Sequence, residues 1–379
     1  MSPMVRYELK DFKTIINKMK YIDSWWYIRY TINPYQNCEH KCIYCDARSE
    51  RYHLAEDFDQ TIIVKNNVKD QLDRRLAKAR TFMPDICALG GVNDCYMPAE
   101  REFRNTRQIM EVLLKYKYPV SISTKSALVL RDLDLFQKIS EETWCAIAFT
   151  ITSVDEEVSS FLEPYAASSE ERFLALERIK QECPGIQTAI NFMPIVPFLE
   201  DTDENLEAVV RRAHEMKVDN ITFAGMTLRD QQASYFYRKL GEKYPDLVEK
   251  FRTLYQGNYV PKDKEYTATI SKKVVQLCSK YSVNYRIKRR WIPSDYRRVN
   301  YLVAQELADR AYELQLQGKF HSQYLWAANH INNLPQSITI LAQNNQLETI
   351  QNVKEKVKQE IEYLIKKYDR VKPLERYFQ

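Results

Sequence analysis

The sequence predicts an α/β fold built on a parallel sheet, and three observations predict it. Short apolar runs alternate with amphipathic segments from Ile62 to about residue 226. The runs are continuously apolar, as strands buried on both faces are. Only 7 glycines occur in 379 residues, against 45% hydrophobic and 28% charged residues, so a packed core is expected and a loop-rich or disordered chain is not. Such alternation builds either a barrel or a doubly wound sheet, with functional groups at the C-terminal strand ends.

"WYIRYTI" (26–32) reads as the opening strand. "VKDQLDRRLAKAR" (68–80) has a helical period, and "DICALGG" (85–91) is a buried strand closed by glycine. A helix over 103–117 leads to the strand "PVSIST" (119–124), and a helix over 133–141 to the strand "WCAIAFTIT" (144–152). A helix over 169–182 precedes the strand "QTAINFMPIV" (187–196), and one over 203–217 precedes "DNITFAGM" (219–226). That makes six strands. Residues 230–256 read as mostly helical, and "VNYRIKR" (283–289) as one further candidate strand. From Ser294 onward the chain is helical and polar, ending in an amphipathic helix over 348–370. The expected organisation is a lead-in over 1–25, a catalytic-type domain over 26–294 and a helical region over 295–379. The mixed charge of that last region is the mark of a solvated face.

No apolar run reaches the roughly 20 residues that span a bilayer. The N-terminus mixes both charges and lacks the apolar stretch of a signal peptide. A cytoplasmic location with reduced thiols is the expectation. The eight cysteines then read as ligands, redox groups or core residues. The net charge of +5 permits a nucleic-acid partner without demanding one.

Three of those cysteines, Cys38, Cys42 and Cys45, crowd into "NPYQNCEHKCIYCDAR" (33–48) with the spacing C-x3-C-x2-C. Structural zinc usually takes four ligands, often as two C-x2-C pairs. His40 and His53 could complete a zinc set. A cubane iron–sulfur cluster normally takes four thiolates. Three thiolates leave one iron open to a substrate or cosubstrate, which is the chemistry of an enzyme.

The loop, with Tyr44 just before its last cysteine, resembles the signature of radical S-adenosylmethionine (SAM) enzymes. More narrowly it is similar to the spore photoproduct lyase-like branch. "GGVNDCYMPAE" (90–100), "ISTKSALVLRDLDL" (122–135), "ITSVDEEVSSFLEPYAASSEERFLALERI" (151–179) and "MPIVPFLEDTDENL" (193–206) resemble further segments of that branch, in order. The likeness covers roughly residues 30–225 and leaves out 295–379. It departs at Asn37, where the branch has glycine, and at Asp46, where an aromatic residue is common. Asn tolerates positive φ, so the turn can survive.

The resemblance implies an open six-stranded (β/α)6 partial barrel with a C-terminal helical appendage. It implies a [4Fe–4S] cluster on Cys38, Cys42 and Cys45, with SAM on the fourth iron, and an external one-electron reductant of the flavodoxin or ferredoxin type. Gly90, Gly91 and Asn93 would meet the methionyl amine, Lys125 and Ser153 its carboxylate, Asn191 the ribose and Tyr44 the adenine. Plainer roles stand beside these. Lys125 is also a solvated lysine after a strand. Ser153 with Glu156 could form a capping box. Asn191 could satisfy buried backbone, and His40 could hydrogen-bond around the cluster. Cys95 is either a hydrogen-atom donor of the lyase type or a buried inert thiol. Cys87, Cys145, Cys183 and Cys278 read as core. If function follows the resemblance, the substrate is a thymine-dimer lesion in DNA, with "YRIKRRWIPSDYRR" (285–298) tracking phosphates or merely joining domains. Modification of RNA or a peptide, and a non-catalytic zinc-binding adaptor, are the competing functions.

Overall fold

The computed structural model describes residues 5–52, 58–79 and 82–369. Ten strands occur among them: β1 Arg6–Lys10, β2 Ile16–Lys18, β3 Tyr30–Ile32, β4 Tyr35–Gln36, β5 Thr61–Lys65, β6 Cys87–Leu89, β7 Val120–Thr124, β8 Cys145–Thr150, β9 Gln187–Ile195 and β10 Asn220–Gly225. The chain divides into two compact units, one of residues 1–17 and 30–287, the other of residues 18–29 and 288–379.

The first unit is built on a sheet in the order β10-β9-β8-β7-β6-β3-β2, with parallel pairing from β3 through β10. Each segment read as a strand from its apolar run supplies one of these. The sheet nevertheless has seven strands, not six. The seventh, β2, is three residues long with two exposed side chains, too short and too polar to read as a run. A second sheet, β1-β5-β4, was also absent from the sequence reading. The candidate strand over 283–289 does not form. That stretch is irregular, with a bend at Tyr285–Arg286, and its Asn284 carbonyl accepts a hydrogen bond from Ile221 N at 2.8 Å.

Helices cover the sheet because their apolar residues fall on one face. In Asn105–Lys115 the buried positions include Thr106, Ile109, Met110 and Leu113, the spacing of an α-helical stripe. In Ser169–Glu182 they include Ser169, Arg172, Phe173, Leu176 and Ile179. That helix starts in a capping box, with Ser168 bonded to Glu171 N and Glu171 to Ser168 N. Strand side chains such as Ile122, Ile147, Phe149 and Ile190 meet these stripes in one core. Each fully buried aliphatic there contributes about 1.5–3 kcal/mol.

The second unit is helical, with Arg297–Leu316, Ser322–Ile331, Ile338–Gln343 and Glu355–Asp369 packed around Val303, Leu307, Tyr324, Ile331 and Ile361. By compactness it begins at residue 288, and it takes in 18–25 of the expected lead-in together with 26–29, the start of the segment read as the opening strand. The helix expected over 348–370 starts only at Glu355, after a turn at Leu347–Thr349, and residue 370 lies outside the described residues. Among the described residues no helix is long and apolar enough to cross a membrane.

Candidate active site

The cysteine loop leaves β3, makes the short pairing of β4 with β5, and turns at Asn37. Asn37 has φ +64° and donates to the Thr61 carbonyl at 2.7 Å, so an asparagine serves where the related pattern has glycine. Lys41 makes a second left-handed turn at φ +54°. Several bonds fix the loop to its surroundings. Glu39 accepts from Tyr7 Oη at 2.9 Å and Ala99 N at 2.7 Å. Ile43 N donates to the Leu162 carbonyl at 2.9 Å. Gln232 Nε2 donates to the Tyr44 carbonyl at 2.9 Å. Arg48 Nε reaches the Cys42 carbonyl at 3.2 Å.

Cys38 and Cys42 are buried, Cys45 is half-buried, and all three are free thiols. Burial pushes the Cys38 thiol up to about 12 and raises those of Cys42 and Cys45 as well. Each also feels charge on another of the trio or on Asp94 or Asp46. Three thiols that resist ionisation alone are a donor set that a positive iron centre would satisfy. Among the described residues no three ligating groups close on a point that one ion could occupy. His53, the other candidate zinc ligand, lies outside the described residues.

Lys125 follows β7 and faces the loop. Burial lowers its ammonium, but Cys42 and Glu163 outweigh that and hold it above its usual range. Its Nζ is 3.8 Å from Glu163 Oε1 and 5.7 Å from the centre of the Tyr44 ring. Tyr44 donates its hydroxyl to Glu163. Arg172, 1% exposed, sets NH1 2.5 Å from Glu163 Oε2 and donates to the carbonyls of Thr150 at 2.8 Å and Ala167 at 2.5 Å. Burial would raise the Glu163 carboxyl, yet Arg172 and Lys125 hold it below the usual range. The loop thus rests on a buried Tyr–Glu–Arg–Lys group.

A second anchor is Asp94, just after the glycine turn. It accepts from Tyr96 N and Thr124 Oγ1 at 2.8 Å and from Lys125 N at 2.6 Å. His40 Nε2 lies 3.0 Å from the same carboxylate, and its Nδ1 is 3.1 Å from the Tyr165 carbonyl. Burial opposes ionisation of Asp94, but His40 and these donors hold it down to about 2. Gly90 has φ +91°, and a Cβ on it would fall 2.0 Å from the Ser123 carbonyl oxygen, so only glycine fits. Gly91 faces open space. Asn93 is buried, with neither side-chain polar atom hydrogen-bonded.

The remaining candidates fall in different places. Asn191 sits inside β9, donating to Ser123 Oγ at 3.1 Å and accepting from Thr222 Oγ1 at 2.9 Å. Side chains, not the backbone, thus engage this buried amide. Ser153 caps no helix: its hydroxyl accepts from Asp155 N at 3.0 Å, and Asp155 is the N-cap, receiving Glu157 N at 2.8 Å. The expected capping box is replaced because Asp155 lies one residue before the first helical turn. Cys95 is fully buried in the main core, within electrostatic range of Cys38, its thiol pushed well above its ordinary value by burial. Cys87, Cys145, Cys183 and Cys278 are core thiols.

Sequence reasoning missed Glu163, Arg172 and Glu200. Arg172 carried a signal, since a charge on the apolar stripe of a helix calls for a buried partner. Glu200, fully buried after β9, accepts from Val196 N at 2.9 Å, and burial pushes its carboxyl up to about 8.

A parallel-stranded α/β unit with such a cysteine loop at its first strand end defines a radical SAM domain. Residues 32–213, a little under half of the chain, match the model of the radical SAM superfamily, whose enzymes use a [4Fe–4S] cluster and SAM. An uncharacterized protein of Mycobacterium tuberculosis is 29% identical over 258 residues, 67% of this chain and 74% of that protein. Another, from Methanocaldococcus jannaschii, is 32% identical over 176 residues, 46% of this chain and 63% of that protein. In fold, the chain is similar to spore photoproduct lyase complexed with dinucleoside spore photoproduct. That likeness has a TM-score of 0.55 at 16% identity, over 73% of this chain and 79% of that one.

Proposed function

We propose that Cys38, Cys42 and Cys45 hold the cluster and that SAM lies against the strand ends beside them. The observation that carries this reading is the trio of free thiols, two buried and one half-buried, with Lys125 in electrostatic contact with Cys42. Cluster and SAM together supply a 5′-deoxyadenosyl radical for hydrogen abstraction after reduction by an external flavodoxin- or ferredoxin-type donor. The chain's part is to bind, orient and shield. Lys125 offers its ammonium to the SAM carboxylate. Gly90 and Gly91 expose backbone toward the methionyl amine, and the unpartnered amide of Asn93 supplies a donor and an acceptor. Asn191 keeps one N–H and one lone pair for the ribose. Tyr44, its hydroxyl committed to Glu163, presents only its ring to the adenine. Ser153, closed in its own turn, is the weakest contact of the set. Cys95 belongs to the core in this reading.

The substrate we propose is a thymine-dimer lesion in DNA, supported by the likeness in fold to the lyase complex. The test is anaerobic reconstitution. A brown protein absorbing near roughly 400 nm that converts SAM to 5′-deoxyadenosine is expected. Deuterium from a labelled lesion dinucleoside should then enter 5′-deoxyadenosine. SAM cleavage without lesion turnover would remove the DNA substrate and point to RNA or a peptide. One zinc and no iron would overturn the whole assignment.

A further inference from the structure

The charge of the chain is unevenly divided. The first unit carries 38 Lys and Arg against 40 Asp and Glu, while the second, of 104 residues, carries 18 against 11. The unit with the cysteine loop is thus slightly acidic, and the whole positive excess of the protein sits in the helical unit. The Arg-rich run over 285–298 is partly consumed internally. Arg289 is buried with its guanidinium 3.5 Å from the centre of the Tyr301 ring, and Arg297 is buried against Asp295 at 2.8 Å.

The second unit does present another aromatic surface, with an exposed lysine beside it. Segment 18–29 is stapled to the end of helix Ser322–Ile331: Arg29 donates to Asn333 Oδ1 at 2.6 Å and to the Asn332 carbonyl at 3.0 Å, and Asn333 Nδ2 reaches the Lys20 carbonyl at 3.4 Å. This brings together residues some three hundred positions apart. Tyr21 lies edge-on to Trp326 at 5.6 Å, and His330 is 6.4 Å from both rings. Trp326 is 43% exposed. Lys20 is exposed, with Nζ 5.2 Å from the centre of the Tyr21 ring. A half-open indole set edge-on to a tyrosine ring that itself carries an ammonium suits a stacked base and its phosphate.

We propose that this surface of the second unit binds single-stranded nucleic acid, with a base on Trp326 and a phosphate on Lys20. An acidic peptide would meet the charge but leave the indole without a stacking partner. The inference rests on the second unit's own surface and does not depend on the lesion reading.

The test is fluorescence anisotropy of a labelled oligothymidylate with the reconstituted full chain, measured across a salt series. SAM cleavage is assayed on the same preparations, so that a failed nucleic-acid hold is told apart from a failed enzyme. Trp326→Ala should weaken binding by about 5- to 100-fold while leaving the salt slope unaltered, and Trp326→Tyr should restore most of it. Lys20→Ala should lower the log–log salt slope by about 0.7. Lys217→Ala on the first unit should change neither. No binding at low salt would overturn the proposal. So would parental affinity in Trp326→Ala, or equal competition by polyglutamate of matched charge.

Discussion

Arg172 is the side chain whose removal should be felt most directly at the cysteine loop. It is 1% exposed and holds Glu163, which in turn receives Tyr44 and faces Lys125. Arg172→Met keeps most of the buried stem and removes the guanidinium. It leaves Glu163 without its nearest counter-charge and two carbonyls, of Thr150 and Ala167, without their donor. Breaking a buried pair costs about 3–5 kcal/mol. Each carbonyl left dry would add about 1–3 kcal/mol, though Lys125 and Tyr44 stay with the carboxylate and offset part of that. We expect a loss of about 4 kcal/mol, a fall in Tm of roughly 8–16 °C for a unit of this size. Urea and thermal unfolding followed by circular dichroism would measure it. Adding Glu163→Gln removes the stranded charge, so the double variant should recover at least about 1.5 kcal/mol relative to Arg172→Met. A single variant within about 1 kcal/mol of the parent, or strict additivity in the double, would refute the idea that one buried charge group supports the loop.

Further outcomes are expected elsewhere. Gly90→Ala should destabilise by about 3 kcal/mol or more, since its Cβ would overlap the Ser123 carbonyl oxygen at 2.0 Å and its φ is +91°; a melting curve matching the parent's would contradict the close approach. Cys42→Ala should fold yet fail to retain iron on reconstitution, read by metal analysis and the visible spectrum. Cys95→Ala should leave the products of turnover unaltered, and a changed product distribution by mass spectrometry would return Cys95 to the reaction. Glu200 has a folded value raised to about 8, so the fold holds its proton more tightly than the unfolded chain does. Its contribution is present below the ordinary carboxylate range and is lost as pH rises through about 8. Glu200→Gln should flatten the decline in stability between pH 5 and pH 8, and an unchanged slope in urea titrations would disprove this.

What the sequence showed follows from where the information lies. The parallel strands were legible because β8 and most of β9 are buried on both faces and so read as unbroken apolar text. β1, with an exposed or half-exposed side chain at every position, and the two-residue β4 offer no such run; their pairing with β5 is a tertiary fact. The cysteines were legible because ligands on one loop are spaced by local geometry. Glu163 and Arg172 were hidden because they come from the end of one helix and the face of the next and meet only when both pack under the loop. The boundary of the helical unit was misplaced for a similar reason, because nothing local in "KMKYIDSWWYIR" (18–29) says which end of the chain it will join.

That last feature bears on how the polypeptide matures during synthesis. Residues 18–29 leave the ribosome well before Arg297–Leu316, the helix whose Tyr312 meets Trp25 and whose Asp309 accepts from Tyr27. The first unit can close around β3 while this aromatic strip waits uncovered for that helix. A chain truncated after Ile287 would keep that strip permanently bare, so shortening the protein to its enzymatic part should create an aggregating species rather than a minimal one.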